Sequence, residues 1–431
     1  MNPLPALHLP FFANLLLLLV LAKVLGEVME RLRQPAMIGE ILAGVVLGPS
    51  MLNLIVRTEE LKVISDLGVF LLVIIAGLEI PINQVVQTSR GKSLFISLFA
   101  FILPIASGYW VGHVFELDSF SAIFVGLCVA ITALPVSVRI LMDLGQLKSE
   151  IGQRIISVAI FDDVLALTIL GILLDLHELR GAEVNVIGVR IGITLGKIVL
   201  MVAGLVLAYK LINRLGAKPN FIEIQLDKLL AIMRGKESLI AIIFAFILIF
   251  ASLTESVGLH FIIGAFFASM LLNKDQIGVR HMRTFENTTN GMAMGFLAPI
   301  FFAGIGLEFR FGAIHQWGLL VAIVAVSFAS KIVGGYLGAR FAGLKHRKAL
   351  TLGIGLNARG IMELVIANIA YREGLIGVEV FSILVIMGLF TTLNTPLLLK
   401  RSFSWLERLE GKDKNDLPLE GVSEKSDLPK D

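Results

Sequence analysis

The chain has 431 residues, 56% of them hydrophobic and 16% charged, with 37 Lys and Arg against 34 Asp and Glu and a single cysteine. Soluble proteins average about 45–50% apolar with glycine included and about 25% charged, whereas this chain reaches about 65% once its 41 glycines are added. Charges this scarce cannot clothe a water-exposed surface, and one cysteine with no basic domain excludes a disulfide scaffold and a nucleic-acid binder. An all-α integral membrane protein remains.

A helix needs about 20 apolar residues to cross a bilayer. Thirteen segments meet that length, near 8–29, 36–55, 61–80, 92–114, 119–141, 151–174, 186–213, 237–255, 258–273, 290–308, 315–341, 349–370 and 376–399. The first, around LLLLLVLA, has no basic residue ahead of it and Lys23 behind, which reads as a retained helix rather than a signal peptide. Alternate loops then carry 6 Lys and Arg on one side and 27 on the other. The positive-inside rule puts the N-terminus outside and the C-terminus in the cytoplasm of a plasma (inner) membrane protein. The sequon at Asn287 falls on the cytoplasmic side, where it stays unglycosylated. Lys23 and Lys197 lie near segment ends and read as snorkelling side chains.

Segment 3 ends AGLEI and segment 10 ends GIGLEF, while segment 2 opens IGEILAG and segment 9 contains IGAFFAS; the offsets are 229 and 225 residues. Both pairs are seven segments apart, and an odd offset inverts topology. Segments 1–6 and 8–13 therefore read as two inverted six-helix repeats. The domains expected are a transmembrane domain over 1–400, with repeat one about 8–175, a linker helix at 186–213 and repeat two about 237–399, then a disordered cytoplasmic tail over 401–431. One fold used in both orientations gives inward-open and outward-open states of similar energy, the architecture of a secondary transporter whose site lies at midplane between broken helices. Segment 5 carries ITALPVSVRI, where Pro135 removes a helical hydrogen bond and Thr132 can serve freed groups. Segment 12 carries GIGLNARG, with glycines around Asn357.

Asp162 and Asp163 lie in mid-segment 6, where a charge costs about 2.5–3.5 kcal/mol and marks a functional site. Adjacent residues turn about 100° apart, so one Asp can meet a partner while the other faces a cavity. Lys331, deep in segment 11, is the natural partner. Arg359 and Glu363 stand four apart in segment 12 and can neutralise each other or support the break. GIGLNARG follows no strand and is no phosphate loop, and the seven histidines form no metal constellation.

Six motifs in order, IGEILAGVVLGPSML, LGVFLLVIIAGLEI, FDDVLALTIL, GAFFASMLL, FLAPIFFAGIGLEF and GLNARGIMELVIANIA, resemble the monovalent cation:proton antiporter-2 family of prokaryotic Na⁺/H⁺ and K⁺/H⁺ exchangers. The resemblance implies a Na⁺/H⁺ antiporter-like fold of about 13 helices with crossed discontinuous helices, working as a homodimer. It implies that Asp163 binds the cation, that Asp162 pairs with Lys331 and that Thr132 lies nearby. The potassium-efflux branch carries a nucleotide-binding domain after the membrane part and usually lacks the double Asp, which favours Na⁺ here.

The expectation is thus exchange of Na⁺ or Li⁺ for H⁺ by alternating access in pH homeostasis, electrogenic if Asp162 and Lys331 also exchange a proton. No enzymatic activity, cofactor or nucleic acid is implied beyond the transported ions and the bilayer. The alternatives are a K⁺/H⁺ antiporter, a cation channel, which needs a continuous polar helix face, and a sodium-coupled symporter.

Overall fold

In hydrocarbon a backbone must satisfy its own hydrogen bonds, and among the described residues every regular element is helical. The structure, a computed structural model, describes residues 10–32, 34–56, 58–80, 92–177, 192–194, 196–197, 221–233, 237–257, 259–272 and 277–415. The linker segment at 186–213 falls almost wholly outside them. In chain order the helices are α1 (Phe11–Arg31), α2 (Ala36–Leu47), α3 (Glu59–Leu78), α4 (Lys92–Val114), α5 (Ser119–Ala130), α6 (Leu134–Asp143), α7 (Glu150–His177), α8 (Phe221–Ile232), α9 (Ser238–Ser256), α10 (Phe261–Leu271), α11 (Val279–Met292), α12 (Ala298–Glu308), α13 (Trp317–Phe341), α14 (His346–Gly355), α15 (Ile361–Arg372) and α16 (Val378–Asn415).

Nine of the described spans are long and apolar enough to cross a membrane, α2 and α10 are shorter apolar helices, and α14 with α15 forms the broken twelfth segment. Segment 2 is helical only to Leu47 and segment 10 begins earlier than read, because α11 (VRHMRTFENTTNGM) is too polar to register by hydropathy. Likewise α8 lies in the stretch read as a basic connection, where Asp227 holds His281 of α11 at 2.8 Å. The last helix runs on to Asn415, through residues read as the start of a tail.

The helices sort into two bodies by what they touch. In one, here the panel, α1 packs on α2, α2 on α12, α9 on α10, and α3 on both α10 and α12. In the other, the core, α13 packs on α4, α14 and α16, α4 on α5 and α7, and α15 on α16. Across the boundary α15 meets α3 and α10 meets α7.

Close approaches repeat with the spacing of the motifs. Gly39 lies against Leu25 O and Gly264 against Phe250 O, each residue shifted by 225; a Cβ at either would overlap that oxygen. In the core a Cβ at Gly108 would come within 2.6 Å of Gly126 Cα, and one at Gly335 within 2.8 Å of Gly353 Cα, each shifted by 227. Two helix pairs built alike at a constant offset are the signature of the inverted repeats. Gly306 likewise leaves no room for a methyl, since its Cβ would overlap Ile41 O of α2. Gly306→Ala must part α12 from α2, and overpacking costs about 1–3 kcal/mol. A lower melting temperature in detergent is expected; an unchanged one contradicts this packing.

Between α11 and α12 lies a π-helical turn, Ala293–Leu297, in which Ala298 N–H donates to Ala293 O. The next donor in that i to i−5 pattern would be residue 299, but Pro299 has no N–H. Lys23 Nζ donates to the carbonyl left free, Met294 O, at 2.7 Å. Lys23 is thus a structural cap rather than only a snorkelling side chain.

Candidate ion-binding site

Where α5 ends, the chain runs extended through residues 131–133 before α6, whose first turn holds Pro135. Its counterpart ends α14 at Gly355 and resumes as α15 after an extended Gly360. The breaks cross in contact: Ala133 N–H donates to Ala358 O at 2.8 Å, and the Thr132 hydroxyl reaches Leu356 O at 3.1 Å. A Cβ on Gly360 would sit 2.7 Å from Ala133 Cβ, so glycine permits the crossing.

A helix ending in mid-membrane exposes free carbonyls and the negative end of its dipole. At α5 two cations meet them. Arg359 NH1 donates to Cys128 O at 2.7 Å and Ile131 O at 2.6 Å, while NH2 donates to Val129 O. Lys331 Nζ donates to Ala130 O and, at 2.9 Å, to Ala100 O of α4. At α14 the neutral Asn357 does the same work, its Nδ2 donating to Gly353 O and Ile354 O at 3.2 and 3.3 Å.

Lys331 also lies 2.7 Å from Asp162 Oδ2, with both side chains wholly buried. The Thr132 hydroxyl is 2.8 Å from the same oxygen. Asp163 turns away from this cluster. It is 1% exposed, and its Oδ1 has no hydrogen-bond partner among the described residues. Glu79, at the end of α3, is exposed and acts on Asp163 through its charge. The structure therefore brings Thr132, Asp162, Asp163 and Lys331 together, with Pro135 and Asn357 at the breaks that place them.

Arg359 and Glu363 do not form the pair their spacing suggests. Arg359 lies in the break, off the helical path, and spends its guanidinium on α5, while neither Glu363 oxygen has a partner among the described residues. The capping role of Arg359 was not read from the sequence. Its one signal is positional: Arg359 is 227 residues from Thr132 and so occupies the same place in the second break.

Two cavities lie between panel and core at opposite ends. One of about 310 Å³, at the end bearing the basic loops, is lined by Glu30, Glu40, Pro135, Arg139 and Ile361. The other, of about 190 Å³, is lined by Asp66, His260 and Arg372. Arg372 of the core grips Asp66 of the panel through both carboxylate oxygens, NH2 at 3.0 Å. At the larger cavity Arg139 reaches Glu30 through one contact of 3.3 Å.

The sequence model of the sodium/hydrogen exchanger transmembrane family matches residues 16–405. The chain belongs to this sodium/hydrogen exchanger family. Among exchangers, the Na⁺/H⁺-K⁺ antiporter GerN of Bacillus cereus is 30% identical over 394 residues, covering 91% of this chain and 96% of that protein. The Na⁺/H⁺ antiporter of Enterococcus hirae is 29% identical over 393 residues, covering 90% and 97%. The fold matches that of the sodium proton antiporter MjNhaP1 from Methanocaldococcus jannaschii with a TM-score of 0.66 at 17% identity, over 93% of this chain and 98% of that one.

Proposed function

We propose that this protein exchanges Na⁺ or Li⁺ for H⁺ across the cell membrane, in pH homeostasis, by alternating access of a site centred on Asp163. The observation that carries the reading is a buried carboxylate with an unpartnered oxygen beside a neutralised Asp162–Lys331 pair. Na⁺ is a hard ion suited to carboxylate, hydroxyl and carbonyl oxygen, and Asp163, Thr132 and the carbonyls of the breaks offer that set. A proton competes for the same carboxylate, which couples the fluxes with no separate sensor. The core moves when Asp163 is neutralised by either ion, because a bare charge is costly to carry through a closed, dry site. The larger cavity at the basic end and the two-point Arg372–Asp66 contact at the other describe a state open to the cytoplasm, with the N-terminus outside. The exchanger works as a homodimer, and it is a transporter rather than an enzyme.

Competition fixes the sign of the pH effect. Where protons occupy Asp163, the apparent KM for Na⁺ rises as pH falls, approaching about tenfold per pH unit for a single shared carboxylate. Proteoliposomes with a pH-sensitive dye, challenged with Na⁺, Li⁺ and K⁺ at several pH values, measure this; a pH-independent KM contradicts competition. The same assay under clamped voltage tests electrogenic turnover. K⁺ is the second reading, favoured by the similarity to GerN, and proton movement driven by K⁺ alone would establish it. Polar groups concentrated at one crossing, rather than along a whole helix face, argue against a channel.

A further inference from the structure

The core holds a second buried carboxylate that the mechanism above leaves idle. Glu363 stands in the first turn of α15, is 1% exposed, and has no hydrogen-bond partner on either oxygen among the described residues. A permanently ionised carboxylate at this depth needs donors, and a permanently protonated one needs an acceptor for its O–H. Glu363 has neither among the described residues.

Its surroundings contain little to hold one form. Arg359 acts on it through charge, yet NH1 and NH2 are committed to α5, and the remaining Nε lacks a partner. From α5 the titratable neighbour is the Cys128 thiol. From α16 the carboxylate meets Gly388, where a Cβ would lie 3.2 Å from Oε1, and the nearby Thr391 and Thr392 hydroxyls donate to Met387 O and Arg359 O. From α3, Asp66 is already bound to Arg372.

Position adds the second argument. The shift of 227 residues that superposes the two halves of the core puts Gly388 on Phe161 and Glu363 on Val136. Phe161 directly precedes the Asp162–Asp163 pair. Glu363 thus occupies, in repeat two, the space between half-helix and following helix that borders the ion site in repeat one. The carboxylate comes from the half-helix instead of the helix after it. Ile361, two residues before Glu363, lines the larger cavity, which gives water a route to within a helical turn.

We propose that Glu363 is a second proton-binding carboxylate of the exchange cycle, taking up and releasing one H⁺ per turnover beside the one carried at Asp163. The step makes one O–H bond at a Glu363 oxygen with a proton from cavity water and breaks it after the core has moved; no other bond or oxidation state changes. This inference rests on the exchanger reading, and its test separates the two. Reversal potentials in proteoliposomes give the H⁺:Na⁺ ratio of the wild type and of Glu363→Gln, a neutral side chain of the same shape. In the variant Na⁺-driven proton movement persists while the ratio falls by one proton per cation. An unchanged ratio overturns the proposal, whereas absent exchange in the wild type overturns the exchanger reading itself. If the variant does not fold or turn over, infrared difference spectra of wild-type protein labelled with ¹³C-carboxyl Glu decide. A Glu carboxylic-acid band lost on Na⁺ binding, and displaced by Gly388→Ala, supports the proposal. The absence of such a band overturns it.

Discussion

Asp163→Asn is expected to leave no Na⁺-driven proton movement above that of protein-free liposomes, while the protein folds and melts no lower than the wild type. The two halves of this expectation come from one fact. Asp163 is buried with an unpartnered oxygen, so an amide there breaks no hydrogen bond recorded in the structure and removes a costly charge. What it takes away is the group for which Na⁺ and H⁺ compete. Sites that hold function often sit at a local cost in stability, and here cost and function belong to the same atom. Exchange retained by the variant would sink the assignment of Asp163. A large fall in melting temperature would show instead that Asp163 has a structural partner.

Much of this arrangement is legible in the sequence because a bilayer punishes exceptions. Charges are so scarce in the spans that Asp162, Asp163 and Lys331 stand out, and the break in segment 5 is written in Pro135. Hydropathy fails where burial is supplied by protein rather than lipid. It missed α11, whose Met282, Phe285 and Thr289 are buried among polar neighbours. Helical periodicity fails at Arg359 for a different reason, since an i, i+4 argument presumes the helix that the break removes. The glycine pairs 108 with 126 and 335 with 353 were readable in principle, but a glycine in an apolar helix declares its packing partner only once both helices are placed. Where the family resemblance supplied Thr132, the geometry adds its bonds to Asp162 and to the opposite break.

Lys331→Ala is expected to cost about 3–5 kcal/mol, the usual loss when one partner of a buried ion pair is removed. The ammonium does three things at once: it neutralises Asp162, and it satisfies Ala130 O at the end of α5 and Ala100 O of α4. Its loss strands a carboxylate with only the Thr132 hydroxyl and frees two carbonyls in a dry interior. Asp162→Asn alone leaves the two carbonyl bonds in place, so it is expected to destabilise less. The double variant separates charge from capping. If the unpaired charge dominates, Asp162→Asn restores part of the melting temperature lost in Lys331→Ala, and the two changes fall short of additivity, as for residues in one network. If capping dominates, the double variant is no more stable than Lys331→Ala. Equal melting temperatures for wild type and Lys331→Ala would mean that the pair does not exist in the folded protein. The same variants bear on transport, because an exchanger that moves a charged core through the membrane needs Asp162 neutralised at every step. With Lys331 gone, Asp162 must take a proton in its place. Exchange that survives in Lys331→Ala is then expected to weaken as pH rises and Asp162 loses that proton, a shift the pH-dye assay reads directly.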